Sequence, residues 1–482
     1  MDNSFDTLLL RTHPVRLLER AFVRALLDRP REMTPSERDT LMYAFSVGRL
    51  DRLRHGGRDW DLFDEVAPFR HWLVEQTGLF VDTRRQTVLD WAGLRRLLPT
   101  VRSRITSLLA HLTQQHVSHF SADRLESEIT TRELVLVLSG GGGSGYSHMG
   151  TFNMLNELGI TPRLIAGSSM GSLLGLFRSV QRSYDASTVT MALPRPTELG
   201  RVFSPYRGFS RFGFPGTLEM KARTMGTQIF REALRSPIPR LNELPIAFRP
   251  VVTGLSSGIG VTLSDIESQV ERAARSSPFS APQRASLMGR LLRTLTNNRA
   301  LLQEVVFGSD EGLVDFNSVD AIGFSCAVPG VIHYDLYGER DSSIEALNAL
   351  FAARGIFRLT DGGVMSNVPA HAAWRCVQKG EIITRNVFVA AFDCFAPQLN
   401  RNALFYPIQK IAQASLEENL RYTDLYLKYR NPPSPVSVLM SLDSIEQAVT
   451  AARDDLRDVQ STISAAMRRL PRWLQLQAGT TL

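Results

Sequence analysis

Residues 134–145, LVLVLSGGGGSG, decide the fold class of this chain. The first five residues form an uninterrupted apolar run, which is typical of a strand buried on both faces. Four glycines follow closely, and then a helical pattern that passes through Met154, Leu155 and Leu158. A strand, a glycine turn and a helix in this order indicate the beginning of a parallel α/β sheet.

Two further segments extend the α/β pattern. Residues 164–166, Leu-Ile-Ala, predict a short second strand, and the run 173–177 after them predicts a helix. Residues 386–392 predict a late apolar strand that fits the same sheet. Because strands and helices alternate, we expect a mostly parallel sheet with helices packed on it.

Helical patterns dominate both flanks of this region. Thr34-Pro35-Ser36-Glu37 has the form of a capping box, and apolar residues from Ile445 to Leu470 mark one face of a long amphipathic helix. Residues 431–435, Asn-Pro-Pro-Ser-Pro, predict a linker. We therefore divide the chain into an N-terminal helical region over 1–130, an α/β core over 131–400 and a C-terminal helical region over 401–482.

The composition is that of a globular protein. The 482 residues are 43% hydrophobic and 21% charged, which excludes a disordered chain. No apolar stretch approaches the roughly 18 residues of a membrane-spanning helix, and no secretory signal peptide is visible. Three widely spaced cysteines, Cys326, Cys376 and Cys394, exclude a disulfide framework and a cysteine-based zinc site. We therefore expect a cytoplasmic location with peripheral membrane association.

The glycine cluster over residues 140–145 satisfies the G-x-G-x-x-G pattern of dinucleotide sites. Such a site needs an acidic residue at the end of the second strand, yet no Asp or Glu lies between Glu157 and Asp185. No lysine follows the glycines, so the phosphate-loop pattern fails as well. Backbone N–H groups at a helix N-terminus also suit a different anion, the oxyanion of an ester's tetrahedral intermediate.

The pattern G-x-S-x-G occurs twice, over residues 167–171 and 254–258. A nucleophile elbow needs a strand before the serine and a helix after it. Ser169 follows a predicted strand and precedes a helical run, so we predict that it is the nucleophile. Ser256 also follows a strand, but Gly258-Ile259-Gly260-Val261 predicts a turn into another strand. We therefore expect this second copy to lie in a hairpin, and Ser256 not to be a nucleophile.

A serine hydroxyl needs a hydrogen-bonded base before it can attack at neutral pH. A histidine triad would use His333 or His371, the two histidines after Ser169, and neither lies in an obvious strand-end loop after a late acidic residue. The other candidate is Asp361, within Leu-Thr-Asp-Gly-Gly-Val over residues 359–364, where glycines leave the aspartate little hindered. The residues alone leave both kinds of base open.

Taken together, these motifs resemble the patatin-like phospholipase family. The matching segments are Ser139–Gly145 with His148-Met149-Gly150 for its oxyanion loop, 167–171 for its nucleophile motif, 327–331 for a short stretch before the aspartate, and Asp361-Gly362-Gly363 for its D-G-G element. They appear in the family's order across residues 134–395. One departure is Ser144, where the family often has Arg or Lys.

The resemblance implies a three-layer α/β/α fold and a Ser–Asp dyad that works without histidine, metal or organic cofactor. Ser169 would attack an acyl ester carbonyl, and Asp361 would accept its proton. The further implied site residues are Gly140, Gly141, Gly142, Gly143 and Gly145 for the oxyanion hole, Gly167, Met170 and Gly171 for the elbow, and Gly362 and Gly363 for the aspartate turn. The implied activity releases fatty acids from phospholipid or lysophospholipid esters through an acyl-enzyme.

Two alternatives to this activity stay open. One is a neutral-lipid lipase that hydrolyses triacylglycerol, and the other is a non-catalytic, membrane-associated scaffold that keeps the loop and elbow only as architecture. The presence of both Ser169 and Asp361 disfavours the scaffold.

The charge distribution predicts a partner besides the lipid substrate. The net charge is +7, and residues 201–300 carry 15 Lys and Arg against 6 Asp and Glu. This surplus favours an anionic membrane surface over nucleic acid, since no nucleic-acid motif accompanies it. Residues 205–215 interleave aromatics with arginine, which predicts a lid or membrane contact, with an ordinary core loop as the alternative.

Overall fold

The computed structural model describes residues 3–478 apart from 207, 209, 276–289, 292, 296, 338–341 and 396–414. The chain forms two compact units. The first contains residues 1–134, 374–389 and 457–482, and the second contains residues 135–373 and 390–456. The division into a core and two helical flanks at residues 130 and 400 stays a prediction. All of the candidate catalytic residues belong to the second unit.

The first unit is built mainly from helices around an apolar core. The capping box is confirmed, because Thr34 Oγ1 accepts the Glu37 N–H at 3.3 Å and the Glu37 carboxylate accepts the Thr34 N–H at 2.8 Å. Two short antiparallel hairpins, which the helical interpretation missed, interrupt the helices. The helices are Asn3–Asp28, Pro35–Arg49, Phe63–Gly78, Trp91–Gln115, Ala122–Thr130 and Trp473–Gln477, and the hairpin strands are β1 (Arg52–His55), β2 (Arg58–Asp61), β3 (Val81–Asp82) and β4 (Thr87–Val88).

Glu128 is a buried anchor of the first unit, with 2% of its surface exposed. Its Oε1 accepts hydrogen bonds from Thr384 Oγ1 at 2.8 Å, from the Arg385 N–H at 2.7 Å and from the Asn386 N–H at 3.1 Å. Its Oε2 accepts from Arg124 Nη2 at 2.7 Å. Four donors converge on one buried carboxylate, and its removal would leave two of them, the Thr384 hydroxyl and the Arg385 N–H, without this acceptor.

The second unit centres on a seven-stranded sheet. Its order is β10-β9-β6-β5-β13-β14, with β12 paired to β9 outside that path, and a separate small sheet has the order β11-β8-β7. The strands are β5 (Glu133–Leu138), β6 (Leu164–Ser168), β7 (Phe203–Pro205), β8 (Leu218–Met220), β9 (Ala247–Ser256), β10 (Leu302–Val306), β11 (Ile332–His333), β12 (Ile356–Asp361), β13 (Val387–Asp393) and β14 (Leu425–Lys428). Helices flank the mostly parallel large sheet, which confirms the three-layer α/β/α prediction.

The register of strands on β9 decides where the candidate site forms. β6 ends with Ser168 opposite Val251, and β12 ends with Asp361 opposite Val252. β10 pairs with these same two β9 residues from the other side, so β6 and β12 lie end to end along one edge of β9. Because β6 is parallel to β9 and β12 is antiparallel to it, their carboxyl ends meet. The residue after β6 is Ser169.

The C-terminal part of the chain contains the long helix Leu442–Met467, in which Ile445, Leu456 and Ile463 are buried, as the amphipathic pattern predicts. β14 is a strand that the helical interpretation of residues 401–482 missed. In the described ranges, no helix has both the length and the apolar character needed to cross a bilayer. The remaining helices are Ser147–Glu157, Met170–Ser179, Ala186–Ala192, Leu199–Val202, Ala222–Gln228, Ser257–Arg275, Ser318–Ser325, Ser342–Arg354, Gly363–Ser366, Ala370–Gln378 and Leu416–Leu420.

We expect Glu128→Ala to lower the free energy of unfolding by about 3 to 5 kcal/mol, because it removes a buried carboxylate that pairs with Arg124 and takes the acceptor from the Thr384 hydroxyl and the Arg385 N–H. Denaturation by urea, followed by circular dichroism, measures this value. Glu75→Ala at an exposed helical position is the matched control, with a change within about 0.5 kcal/mol. Equal stability of the two variants would contradict the anchoring role.

Candidate active site

Ser169 lies at the turn between β6 and the helix Met170–Ser179, with a backbone φ of 51°. A positive φ is uncommon for a residue that carries a Cβ. Its N–H donates to Ser325 Oγ at 3.0 Å, and Ser325 Oγ donates to the Val251 carbonyl at 2.7 Å. A strained turn between a strand and a helix has the geometry of a nucleophile elbow.

Close backbone contacts require both glycines of the elbow. A Cβ on Gly167 would lie 2.6 Å from the Gly171 carbonyl oxygen. A Cβ on Gly171 would lie 2.5 Å from the carbonyl oxygens of Leu138 and Ser139. Only glycine lets the strand, the turn and the helix approach this closely.

The second copy of the serine motif differs from its prediction. Ser256 ends β9 and is followed by the helix Ser257–Arg275, so the predicted hairpin is wrong. The helix forms because its apolar residues bury one face at helical spacing. Ser256 nevertheless lacks the positive φ of Ser169, and its hydroxyl accepts a hydrogen bond from Gln303 Nε2 at 2.8 Å. Backbone conformation, rather than element order, separates the two serines.

Asp361 ends β12 and is oriented by its own turn. Its Oδ1 accepts the Gly363 N–H at 2.7 Å, and a Cβ on Gly362 would lie 2.1 Å from the Val251 carbonyl oxygen. The backbone N–H of Asp361 donates to the Ala327 carbonyl at 2.9 Å. The stretch 327–331 therefore supports the strand end that carries the aspartate.

Burial raises the pKa of Asp361 to about 6, while hydrogen bonds from the Ser169 hydroxyl and the Gly363 N–H oppose this rise. The strand register places Asp361 beside the turn that carries Ser169, although Asp361 Oδ2 makes no hydrogen bond of ordinary geometry within the described residues. Catalytic hydrogen bonds are often long in a free enzyme and shorten when substrate binds. A carboxylate with a pKa close to the working pH is suited to accept a proton and to return it.

Cys326 is a further buried side chain at this point, directly after the helix Ser318–Ser325. Burial raises the pKa of its thiol well above the usual value, the charge of Asp361 adds to the rise, and a hydrogen bond with Ser169 opposes it. The thiol is therefore neutral beside the nucleophile. Sequence reasoning used this cysteine only to exclude a disulfide framework and a zinc site, although its position next to the stretch 327–331 was an available signal.

The glycine loop between β5 and the helix Ser147–Glu157 lies against the nucleophile. A Cβ on Gly140 would lie 2.8 Å from Ser169 Cβ, and a Cβ on Gly145 would lie 2.4 Å from Met170 Cγ. These contacts leave room only for glycine at both positions. The structure thus brings the predicted oxyanion loop, the elbow and the aspartate turn together.

The amides of the glycine loop differ in their availability to an oxyanion. The Gly140 N–H donates to the Asn367 carbonyl at 3.3 Å, and the Gly143 N–H donates to the Pro435 carbonyl at 2.9 Å. The two intervening amides make no hydrogen bond within the described part of the chain. Those two are therefore the donors that a substrate oxygen could reach without competition.

Two buried polar side chains support the glycine loop. Ser144 Oγ donates to the Gly141 carbonyl at 2.6 Å, so this residue fixes a peptide of the loop. His148 Nε2 lies 3.0 Å from the Ser139 carbonyl oxygen. Burial lowers the pKa of His148 to about 4, so its imidazole is neutral at pH 7 and donates this bond.

The two candidate histidine bases bind other groups. His333 is buried, and its Nδ1 lies 3.0 Å from the Phe214 carbonyl oxygen. His371 Nδ1 lies 3.2 Å from Glu304 Oε1 on β10. The geometry therefore favours Asp361 as the base. Across the described ranges, no group of three or more His, Cys, Asp or Glu side chains could hold a metal ion.

The segment 205–215, predicted as a lid or membrane contact, is partly a core loop. The carboxylate of Asp335 accepts the N–H groups of consecutive residues in it. Arg207 and Phe209 lie outside the described residues. The predicted attraction to an anionic membrane stays a prediction. The described aromatic residues of this segment are Tyr206, Phe212 and Phe214. Their surfaces are at most 4% exposed, so these rings are unavailable for membrane contact.

Sequence reasoning missed the contact between the glycine loop and residues 434–438. Besides the Pro435 carbonyl, the Val438 carbonyl takes part, accepting a hydrogen bond from Tyr146 Oη at 3.0 Å. The prolines and serines of this segment predicted only an irregular linker. No local pattern could reveal a partner 292 positions away.

We expect Asp361→Asn to stabilise the folded protein. The pKa of Asp361 is about 6 in the folded state against 3.8 for an ordinary Asp, so its ionisation costs stability as the pH rises between these values. Asparagine carries no charge, so the variant should gain roughly 2 to 3 kcal/mol at pH 7 and almost nothing at pH 3.5. Denaturant unfolding at both pH values measures the gain. Equal free energies of unfolding at pH 7 would contradict the raised pKa.

Comparison with known proteins shows which family this chain resembles. A family model for the patatin-like phospholipase matches residues 136–374, about half of the chain. Patatin-like phospholipase domain-containing protein 6 of Mus musculus is 38% identical over 65 residues, which cover 14% of this chain and 5% of that protein. Triacylglycerol lipase ptl3 of Schizosaccharomyces pombe is 28% identical over 133 residues, which cover 23% of this chain and 27% of that protein.

Lysophospholipase nte1 of Aspergillus oryzae is 26% identical over 210 residues, which cover 42% of this chain and 13% of that protein. The aligned part of this chain therefore spans between 5% and 27% of the length of these relatives. The family match includes the glycine loop, the elbow, the aspartate turn and most strands of the large sheet. Fold, motif order and family match agree, and the chain belongs to the patatin-like phospholipase family.

Proposed function

We propose that this protein is a serine acyl hydrolase that releases fatty acids from phospholipid or lysophospholipid esters. The observation that carries this proposal is the meeting of Ser169 and Asp361 at the ends of β6 and β12, beside the glycine loop. Membership of the patatin-like phospholipase family supports a lipid ester as the substrate. A relative named as a lysophospholipase supports it further.

In the first half-reaction, Ser169 Oγ attacks the ester carbonyl carbon and the Asp361 carboxylate accepts the hydroxyl proton. The N–H groups of Gly141 and Gly142 stabilise the negative charge on the carbonyl oxygen. We narrow the five predicted oxyanion glycines to these two, because the Gly140 and Gly143 amides already donate to backbone carbonyls and Gly145 lies inside the short 3₁₀ helix Gly142–Tyr146. Protonated Asp361 then gives its proton to the departing alcohol, and an acyl-enzyme remains.

In the second half-reaction, water attacks the carbonyl carbon of the acyl-enzyme, and Asp361 accepts a proton from this water. Collapse of the intermediate breaks the bond to Ser169 Oγ, which takes the proton back, and the fatty acid leaves. A base with a pKa of about 6 suits both directions of transfer. The scheme uses no metal and no organic cofactor.

A triacylglycerol lipase is the second candidate function. The aligned triacylglycerol lipase of Schizosaccharomyces pombe has 27% of its length covered, more than the other two relatives described above. The dyad attacks an acyl ester in the same way in either lipid, so it does not discriminate between them. The choice depends on whether a phosphate head group or a third acyl chain fits beside the dyad.

Fatty-acid release from mixed phospholipid vesicles tests the dyad. Ser169→Ala and Asp361→Ala should each reduce the rate by at least about 10³-fold, because each removes a member of a unit that acts together. Ser256→Ala is the matched control and should keep the wild-type rate, since this serine lacks the strained backbone of an elbow. Loss of activity in the control, or retention in either dyad variant, would contradict the assignment.

The same assay on triacylglycerol emulsions decides between the two lipid classes. Faster hydrolysis of triacylglycerol than of phospholipid would favour the second candidate. Covalent labelling by a fluorophosphonate reports the nucleophile independently of the lipid. A wild-type protein that hydrolyses neither lipid and stays unlabelled at Ser169 would contradict both enzymes and favour the scaffold.

We expect kcat/KM to rise with pH and to level off above about pH 6, because Asp361 must be ionised to accept the serine proton. Below its pKa the rate should fall about tenfold for each pH unit. Initial rates with a soluble chromogenic ester give this profile without any change in vesicle charge. A flat profile across this range would contradict Asp361 as the base.

A further inference from the structure

Residues 434–438, here called the strap, lie against the glycine loop although they fall outside the range that the family model matches. A Cβ on Gly142 would lie 2.3 Å from the Pro435 carbonyl oxygen. A Cβ on Gly143 would lie 2.4 Å from the Ser437 carbonyl oxygen. The strap thus occupies the space that a side chain would need, which explains why the loop requires glycine at these positions.

Two hydrogen bonds join the strap to the loop. The Gly143 N–H donates to the Pro435 carbonyl at 2.9 Å, and Tyr146 Oη donates to the Val438 carbonyl at 3.0 Å. Tyr146 is 1% exposed, so its hydroxyl is held in place by packing as well. Two hydrogen bonds within the strap, at 3.1 and 2.8 Å, hold it in a tight turn.

The chain just before the strap is tied to the long helix Leu442–Met467. The Arg430 N–H donates to Asp455 Oδ2 at 2.8 Å, and Arg430 Nε donates to Asp455 Oδ1 at 2.5 Å. Asp455 is 3% exposed whereas the Arg430 side chain is exposed, so the carboxylate is the buried side of this bidentate contact. The chain is therefore held at Arg430, just before the strap, and again where the strap contacts the glycine loop. A fixed support requires such attachment.

We propose that the strap is a positioning element for the oxyanion donors of the reaction described above, on which this inference rests. A run of glycines has large conformational freedom, whereas an oxyanion hole stabilises charge only when its donors are fixed in advance. The Pro435 carbonyl binds the Gly143 amide and so fixes the loop, while the Gly141 and Gly142 amides make no hydrogen bond to any described residue. Tyr146 is a positioning residue that acts on these donors through the strap.

Tyr146→Phe tests the strap with the smallest possible change, since it removes only the hydroxyl bound to Val438. For a soluble chromogenic ester, we expect kcat about tenfold lower and KM within about twofold, because transition-state donors move while ground-state binding is kept. Amide hydrogen exchange in the peptide 139–146 should also be about tenfold faster. Tyr184→Phe is the matched control, because its buried hydroxyl makes no hydrogen bond within the described residues.

Gly143→Ala tests the same contact from the side of the loop. The three atoms nearest to the added methyl all belong to the strap, and the backbone φ at this position is not positive, so the strain falls on the strap contact. We expect kcat about 100-fold lower, since displacement of catalytic groups by about 1 Å has an effect of this size. Gly200→Ala is the matched control, because its methyl would meet no atom within 4 Å. Melting temperatures of all four variants show whether each is folded.

The outcomes separate this proposal from the proposed function. Unchanged exchange in the peptide 139–146 of folded Tyr146→Phe and Gly143→Ala would overturn the strap's role, whatever the activity. A rise of kcat in either variant would also overturn it, because the strap would then be a cover rather than a support. If the wild type hydrolyses no ester, the proposed function has failed, and exchange alone decides whether the strap fixes the loop.

Discussion

The left-handed backbone at Ser169 is the constraint on which the rest of the second unit depends. A strained residue of this kind costs of order 1 to 3 kcal/mol and persists only where its surroundings fix it. Here Gly167 and Gly171 let the backbone close tightly around the turn, and the Ser325 hydroxyl binds the serine's own amide. These groups come from separate elements of the unit. The elbow is therefore stable only after the sheet and the helix Ser318–Ser325 have packed together.

The meeting of the two dyad residues is a consequence of strand register rather than of any local motif. β6 and β12 approach the same point on β9 from opposite directions, so their last residues become neighbours. A slip of β12 by one residue would turn Asp361 to the other face of the sheet. The same packing that brings the carboxylate to the serine also buries it, and this burial raises its pKa. Position and proton affinity thus have a single structural cause.

Local patterns were sufficient to predict the core of the fold. Each of these patterns is confined to a few consecutive residues, so it can be recognised in the sequence. They are the apolar run of β5, the glycines after it, and the strand and helix around Ser169. Asp361 is different. The residues alone left both Asp361 and the histidines as candidates for the base, and only the order of motifs in a family favoured Asp361. Its contact with the nucleophile depends on pairing with β9, which no short window contains.

The errors also have physical causes. Gly258-Ile259-Gly260-Val261 has the composition of a strand, yet an apolar face further along the chain makes the segment helical, so tertiary burial overrides local preference. From sequence, Phe212 fits a membrane anchor as well as a core residue, because aromatic rings serve both roles. In the structure it is buried. The strap depends on residues almost 300 positions apart, and its own composition predicts only irregularity.

The order of the large sheet has a consequence for any shortened form of the protein. β13 and β14 follow residue 374, where the family match ends, yet β13 is the neighbour of β5 in the sheet. Without them, β5 would present a free row of N–H and C=O groups in a strand whose residues 134–138 are apolar and fully buried. Exposed edges of this kind pair with other chains. A chain cut at the family border would retain both dyad residues but would lack the strand that covers this edge of β5.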